Sequence, residues 1–164
     1  MKRFGLTLAL LLVLTSLILM GLIYFDYITV GFMFGSYRFH HWAVIFGAFY
    51  LAIVSPFFSV LKRTKPASLG TLFRVHVFGN LLAFILISVH FAGQLSRPLE
   101  FYPDLGTGVG LYTVMSVLVF TGFILRYSLV SGRLRKLLRG VHVVSVVSFY
   151  LVIVVHALSV FVFI

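Results

Sequence analysis

The chain of 164 residues has no cysteine, and only 10% of its residues are Asp, Glu, Lys or Arg. Without cysteine it forms no disulfide, no cysteine-ligated iron–sulfur cluster and no C-x-x-C-H attachment of c-type haem. A soluble domain carries roughly 25% charged residues. Because 62% of this chain is hydrophobic, we predict an all-α integral membrane protein.

Five stretches lack Asp, Glu, Lys and Arg, and each has at least 21 residues. About 20 apolar residues cross a hydrocarbon core, so we predict a bundle of five transmembrane helices in a single domain, residues 1–164. The expected spans are about 4–25, 39–61, 75–96, 105–125 and 140–164. The apolar run at 27–37 is too short to cross and is expected to form an interfacial loop.

The first span also resembles a secretory signal peptide, because a basic start precedes an apolar run. The run is too long, however, and no small-x-small cleavage site closes it clearly. We therefore predict a retained helix. Cleavage would leave four spans with unchanged orientation.

Basic residues are distributed unequally between the two ends of the predicted spans. Eleven of the 13 lie at one side, and only Arg38 and Arg97 lie at the other, together with Asp26, Glu100 and Asp104. Basic loops face the cytoplasm, so the N-terminus is expected inside and the C-terminus outside, in the cell membrane. This distribution explains the net charge of +10 without nucleic acid, and the basic loops are expected to contact anionic lipid headgroups.

Two apolar stretches share an unusual pattern, VHVFGNLLAFILISVH at 75–90 and VHVVSVVSFYLVIVVH at 141–156. Each begins and ends with Val-His, which places four histidines in the third and fifth spans: His76, His90, His142 and His156. In a helix, 14 residues turn through nearly four full turns and rise about 21 Å, so both histidines of a stretch share one face. Both spans run outward, so one histidine of each lies at the inner level and one at the outer level.

Two stacked pairs of imidazoles match the axial ligands of haem, whose iron takes two. We therefore predict two non-covalent, bis-histidine b-type haems, one on His76 and His142 inside and one on His90 and His156 outside. A single haem, or packing and proton-relay roles for the histidines, are the alternatives. Zinc is less expected because no span contains Asp or Glu.

Three further residues are candidate haem contacts. Gly79 lies one turn from His76 and would let a porphyrin approach the backbone, although glycine also serves close helix packing. Arg74 and Arg139 precede the two inner histidines and are candidates to pair with haem propionates. The predicted membrane topology, with basic residues on the cytoplasmic side, explains the positions of both arginines equally well.

His40 and His41 lie at the predicted outer end of the second span, beside Trp42. They belong either to an interfacial aromatic belt or to an outer-face site. Such a site would contact a propionate, a metal ion, a quinone or a docking protein.

Histidine pairs about fourteen residues apart, on two helices separated by one other, resemble the ferric reductase-like transmembrane domain superfamily. LRYSLVSGRLRKLLRGVHVVSVVSFYLVIVVH is similar to the family's stretch in which a basic loop leads to one histidine and a second follows. The resemblance covers roughly residues 74–158 and implies haem-ligand roles for the four histidines. Many members continue into a flavin and nicotinamide domain; here the resemblance implies only the electron-carrying membrane part. The cytochrome b of quinol-oxidising complexes is a more distant comparison.

The expected function is a dihaem b-type membrane cytochrome. It would carry electrons between a cytoplasmic-side or quinol donor and an outer-side acceptor. The chain would then be an electron-transfer subunit of an oxidoreductase that works with redox partner proteins or quinone in a complex. The alternatives are a redox-silent membrane anchor or assembly subunit and a histidine-based ion transporter; the absence of intramembrane carboxylates argues against the transporter.

Overall fold

The computed structural model describes residues 2–98, 100 and 106–162, without the side chains of residues 2, 3, 66 and 160–162. Its helices are α1 (Lys2–Tyr24), α2 (Phe39–Thr64), α3 (Leu69–Leu95), α4 (Gly106–Tyr127) and α5 (Gly132–Val162), with a short 3₁₀ turn at Pro66–Ser68. Five helices in this part of the chain are long and apolar enough to cross a membrane. The prediction of an all-α membrane protein with five candidate spans is confirmed.

The helices extend beyond the charge-free stretches at their basic ends. α2 continues to Thr64, α3 begins at Leu69 and α5 begins at Gly132, eight residues before the predicted position. Lys and Arg are good helix formers, and their long side chains reach from an apolar helix end to water. Charge therefore marks the edge of the lipid-embedded part and not the end of the helix. Asp104, Leu105 and residues 163–164 lie outside the described residues.

The chain divides into two compact units, residues 3–101 and 102–164. The first unit contains α1, α2 and α3, and the second contains α4 and α5.

In the first unit, the predicted loop at 27–37 contains a short antiparallel hairpin, β1 (Met33–Phe34) paired with β2 (Tyr37–Arg38). Gly35 occupies its turn at φ +63°, a conformation that glycine adopts without steric strain. The indole Nε1 of Trp42 donates a 2.8 Å hydrogen bond to the Phe34 carbonyl oxygen. This bond fastens the hairpin to the first turn of α2.

Small residues bring the helices of the first unit together. Gly47 of α2 lies so close to α3 that a Cβ built on it would be 3.1 Å from the Ala83 carbonyl oxygen. Ser16 of α1 donates a 2.8 Å hydrogen bond to Ser88 of α3, and both side chains are fully buried. Small and hydroxyl side chains hold membrane helices together in this way, because lipid provides no hydrophobic driving force between them.

The second unit is a helical hairpin. Residues 128–131 connect α4 to α5, with Ser128 at φ +55° and Gly132 at φ +59°. The side chains of Met115 in α4 and Phe149 in α5 are buried.

Substitution of Gly47 tests the close contact between α2 and α3. We expect Gly47→Val to lower the free energy of unfolding by about 1–3 kcal/mol, because its side chain overlaps backbone as well as Ile87 and Leu86. Thermal unfolding in detergent measures the loss. Gly21→Val is the control, since a Cβ added at Gly21 would have no other atom within 4 Å; equal losses in both variants would contradict the packing described.

Candidate functional site

Three histidines meet in the first unit, His40 and His41 at the start of α2 and His90 near the end of α3. His40 Nδ1 lies 3.2 Å from His90 Nδ1. The ring centroids are 4.3 Å apart for His40 and His41 and 5.4 Å apart for His41 and His90. One ring nitrogen of each histidine lies within 4.8 Å of the others, so the cluster has the composition and spacing of a metal-ion site.

The packing of α2 on α3 creates this cluster. A Cβ at Gly93 of α3 would be 3.1 Å from the His40 ring, so the glycine makes room for the imidazole. His40 is fully buried, and both interpretations of His40 and His41, an interfacial belt and an outer-face site, stay predictions. Our sequence reasoning placed His40, His41 and His90 at the same membrane level but did not join them. Their shared level on consecutive helices was the available signal.

Two buried polar atoms at this cluster have no hydrogen-bond partner among the described residues, His40 Nε2 and Gln94 Oε1. The amide nitrogen of Gln94 lies 3.2 Å from His41 Nε2. The arginines nearest the histidines are Arg38 and Arg97, whose charges act on both His40 and His41. The cluster is therefore polar and electropositive.

His76 lies toward the other end of α3, and two aromatic side chains of α2 approach this region. Its ring stacks on Phe58 with centroids 4.2 Å apart, and its Nδ1 lies 3.4 Å from Asn80 Nδ2. The space beside Gly79, where porphyrin contact was predicted, contains the Tyr50 hydroxyl group, which donates a 2.8 Å hydrogen bond to the Val75 carbonyl oxygen.

In the second unit, α4 provides a threonine for each histidine of α5. Thr121 Oγ1 lies 2.9 Å from His142 Nδ1, and Thr107 Oγ1 lies 3.0 Å from His156 Nδ1. A glycine follows each threonine; a Cβ at Gly122 would be 3.2 Å from His142. The corresponding distance from Gly108 to His156 is 3.7 Å.

This arrangement reflects a second repeat that our sequence reasoning missed. The dipeptide Thr-Gly occurs at 107–108 and again at 121–122, with the same spacing as the two histidines of α5. Because α4 and α5 run in opposite directions, the first Thr-Gly meets the second histidine and the second Thr-Gly meets the first.

The predicted haem pairs each join one histidine of the first unit to one of the second: His76 with His142 and His90 with His156. Both pairs therefore stay predictions. The side chains of Arg74 and Arg139 are exposed, and their predicted contacts with propionates also stay predictions.

Comparisons with protein-family models, with curated proteins and with solved structures found no match.

A double-mutant cycle tests the contact between Gly79 and Tyr50. We expect Gly79→Ala to reduce the free energy of unfolding by about 1–3 kcal/mol, because the new methyl group overlaps the Tyr50 ring and hydroxyl. In a Tyr50→Ala background, the same substitution is expected to have little further effect. Chemical unfolding in detergent measures all four proteins, and an equal loss in both backgrounds would exclude this contact.

Proposed function

We propose that the chain is a dihaem b-type membrane cytochrome, in which His76 and His142 would hold one haem and His90 and His156 would hold the other. One observation carries this proposal: each of the four histidines has a polar side chain at its Nδ1. Imidazoles that bind metals through Nε2 are commonly oriented by a hydrogen bond at the other nitrogen.

The clearest case is His142, because the threonine beside it has carbonyl acceptors in its own helix. Thr121 Oγ1 lies 2.7 Å from the Val117 carbonyl oxygen and 3.3 Å from the Leu118 carbonyl oxygen, so its one hydrogen has an acceptor in its own helix. The hydroxyl oxygen can then accept a hydrogen from His142 Nδ1, 2.9 Å away. A proton on Nδ1 leaves the lone pair of the neutral ring on Nε2, the nitrogen required by haem iron.

The other three histidines are compatible with the same tautomer. Thr107 Oγ1 can accept from His156 Nδ1, and His40 Nδ1 can accept from His90 Nδ1. Near His76, the Asn80 Oδ1 atom is buried without a hydrogen-bond partner among the described residues. Turning that amide by 180° brings Oδ1 to the His76 ring, where it accepts from Nδ1 and becomes satisfied.

The charges near His40 and His41 favour haem over a bare divalent cation. Arg38 and Arg97 are the nearest charged side chains acting on these histidines. A divalent ion would add two positive charges to this region. In haem, the porphyrin dianion neutralises ferrous iron, and the propionates add negative charge. The charges at this end of the first unit therefore fit haem better than a bare divalent ion.

A second candidate function is transition-metal binding by His40, His41 and His90. The close approach of their ring nitrogens supports it, and imidazole suits zinc, copper and nickel. His90 belongs to both proposed sites, but the other histidines of the two sites differ. Substitutions of those histidines therefore distinguish the two candidate functions.

When bound, haem supplies one-electron redox chemistry. The residues of this chain would hold its iron and fix the imidazole tautomer. With the N-terminus inside and the C-terminus outside, the proposed role is electron transfer across the cell membrane. The donor would be a cytoplasmic-side protein or quinol and the acceptor would lie outside, with the chain acting as a subunit of a larger complex. A redox-silent anchor is the alternative if no haem binds.

Haem content separates the two candidate functions. We expect the purified protein to show two b-type haems per chain in a pyridine haemochrome assay, because two pairs of histidines are present. His76→Ala is expected to lose one haem, whereas His41→Ala retains both.

Elemental analysis of the same samples tests the metal-ion site. Loss of zinc or copper in His41→Ala, without loss in His76→Ala, would favour that site. If the protein contains no haem after expression in cells with sufficient haem, the proposal of a cytochrome is wrong.

The role of Thr121 is tested by a matched pair of variants on α4. We expect Thr121→Val to weaken haem retention by about 10–100-fold, the usual effect of removing a group that orients a metal-bound histidine. Thr113→Val is the control, because Thr113 makes the same bond to its own helix, 2.9 Å to the Val109 carbonyl oxygen, but is exposed. Dissociation of haem to apomyoglobin measures retention. Similar values for both variants would remove Thr121 from the site.

A further inference from the structure

The two basic residues that depart from the positive-inside pattern meet in one pocket of the first unit. Arg38 precedes α2 and Arg97 follows α3, and both line a cavity of about 170 Å³. The segment after α1 closes one side of it, including Asp26 and Val30. A folded chain thus brings together the only two arginines that the charge distribution assigns to the outer end.

Each arginine alone has an ordinary explanation. A cation beyond the C-terminus of α3 is stabilised by the helix dipole, and an arginine at a helix end can reach the headgroup region. Neither explanation accounts for two arginines that line the same small cavity. Like charges at close range repel, and full exposure to water would reduce that repulsion.

The structure leaves part of the Arg97 guanidinium poorly solvated. Its side chain is half-buried, and its Nε atom is buried without a hydrogen-bond partner among the described residues. Burial and the charge of Arg38 lower the pKa of the Arg97 guanidinium. Asp26 lines the cavity but forms no ion pair with either arginine in the described part of the chain.

We propose that this pocket, formed by Arg38 and Arg97, binds the carboxylate group of an anionic ligand. A guanidinium presents parallel N–H donors that match a carboxylate. With Arg38, Arg97 and Asp26, the lining has one net positive charge, which a single carboxylate neutralises and a phosphate dianion exceeds. The apolar lining residues Ile28, Val30 and Pro98 suit a short hydrocarbon portion of the ligand.

Two sources provide this chemistry. One is a propionate of a haem bound at His90, which would extend the proposed function and rests on it. The other is a small carboxylate from the surrounding medium, which is independent of haem. The anion site itself depends only on the residues of the pocket.

The site is tested by titrating detergent-purified protein with ¹³C-labelled propionate and measuring NMR line broadening. Haem-limited cultures provide the haem-free protein, and haem-sufficient cultures provide the haem-loaded protein. We expect saturable binding in the haem-free protein, weakened at least about 10-fold in Arg97→Gln, the usual effect of removing a charged hydrogen bond. Asp26→Asn is expected to strengthen binding, because a negative charge leaves the lining. Arg63→Gln is the control, since this exposed arginine lies at the other end of α2.

The haem-loaded protein distinguishes the sources. Loss of propionate binding on loading, together with a lower midpoint potential of the haem in Arg97→Gln than in Arg63→Gln, would identify the haem propionate as the occupant. Binding that persists after loading would identify a free carboxylate. If no haem is ever incorporated, the proposal of a cytochrome is wrong. The titration of the haem-free protein still tests whether the pocket binds a carboxylate. Absence of saturable binding in the haem-free protein, with no effect of Arg97→Gln on any bound haem, would overturn the proposal.

Discussion

The central constraint on this protein is that an imidazole in a membrane-spanning helix needs a hydrogen-bond partner that water cannot supply. A buried polar group left without one costs roughly 1–3 kcal/mol. The chain meets this requirement at Nδ1 of all four histidines of the repeat, using a hydroxyl, an amide or a second imidazole. The choice of ring nitrogen has a chemical consequence, because a protonated Nδ1 presents the lone pair of Nε2 to a metal.

Small residues allow these partners to reach the rings. Gly93 makes room for His40, and Gly108 and Gly122 lie beside the two histidines of α5. Glycine serves close packing in membrane helices generally, but the pairing of threonine and glycine on α4 combines close approach with a hydrogen bond. Packing and ligand orientation therefore depend on the same positions, and bulky substitutions there would disturb both.

The positive charges near His40, His41 and His90 decide which of the possible ligands is favoured at this end of the first unit. Neutral imidazoles alone suit either haem or a transition-metal ion. The neighbouring Arg38 and Arg97 oppose an added divalent charge and favour a group that brings its own negative charges. The proposed carboxylate pocket and the proposed haem ligands thus follow from one electrostatic property of this region.

The sequence alone determined the membrane class, five candidate spans and the repeated histidines, because hydropathy and residue spacing along a helix are local properties. Helix ends were misplaced where basic residues continue the helix, as at Gly132. Only the tertiary structure decided which side chain meets each ring. The contacts of His90 with His40 and of His142 with Thr121 join residues far apart in the chain. Such contacts depend on how helices pack, and no periodicity within a single helix specifies that packing.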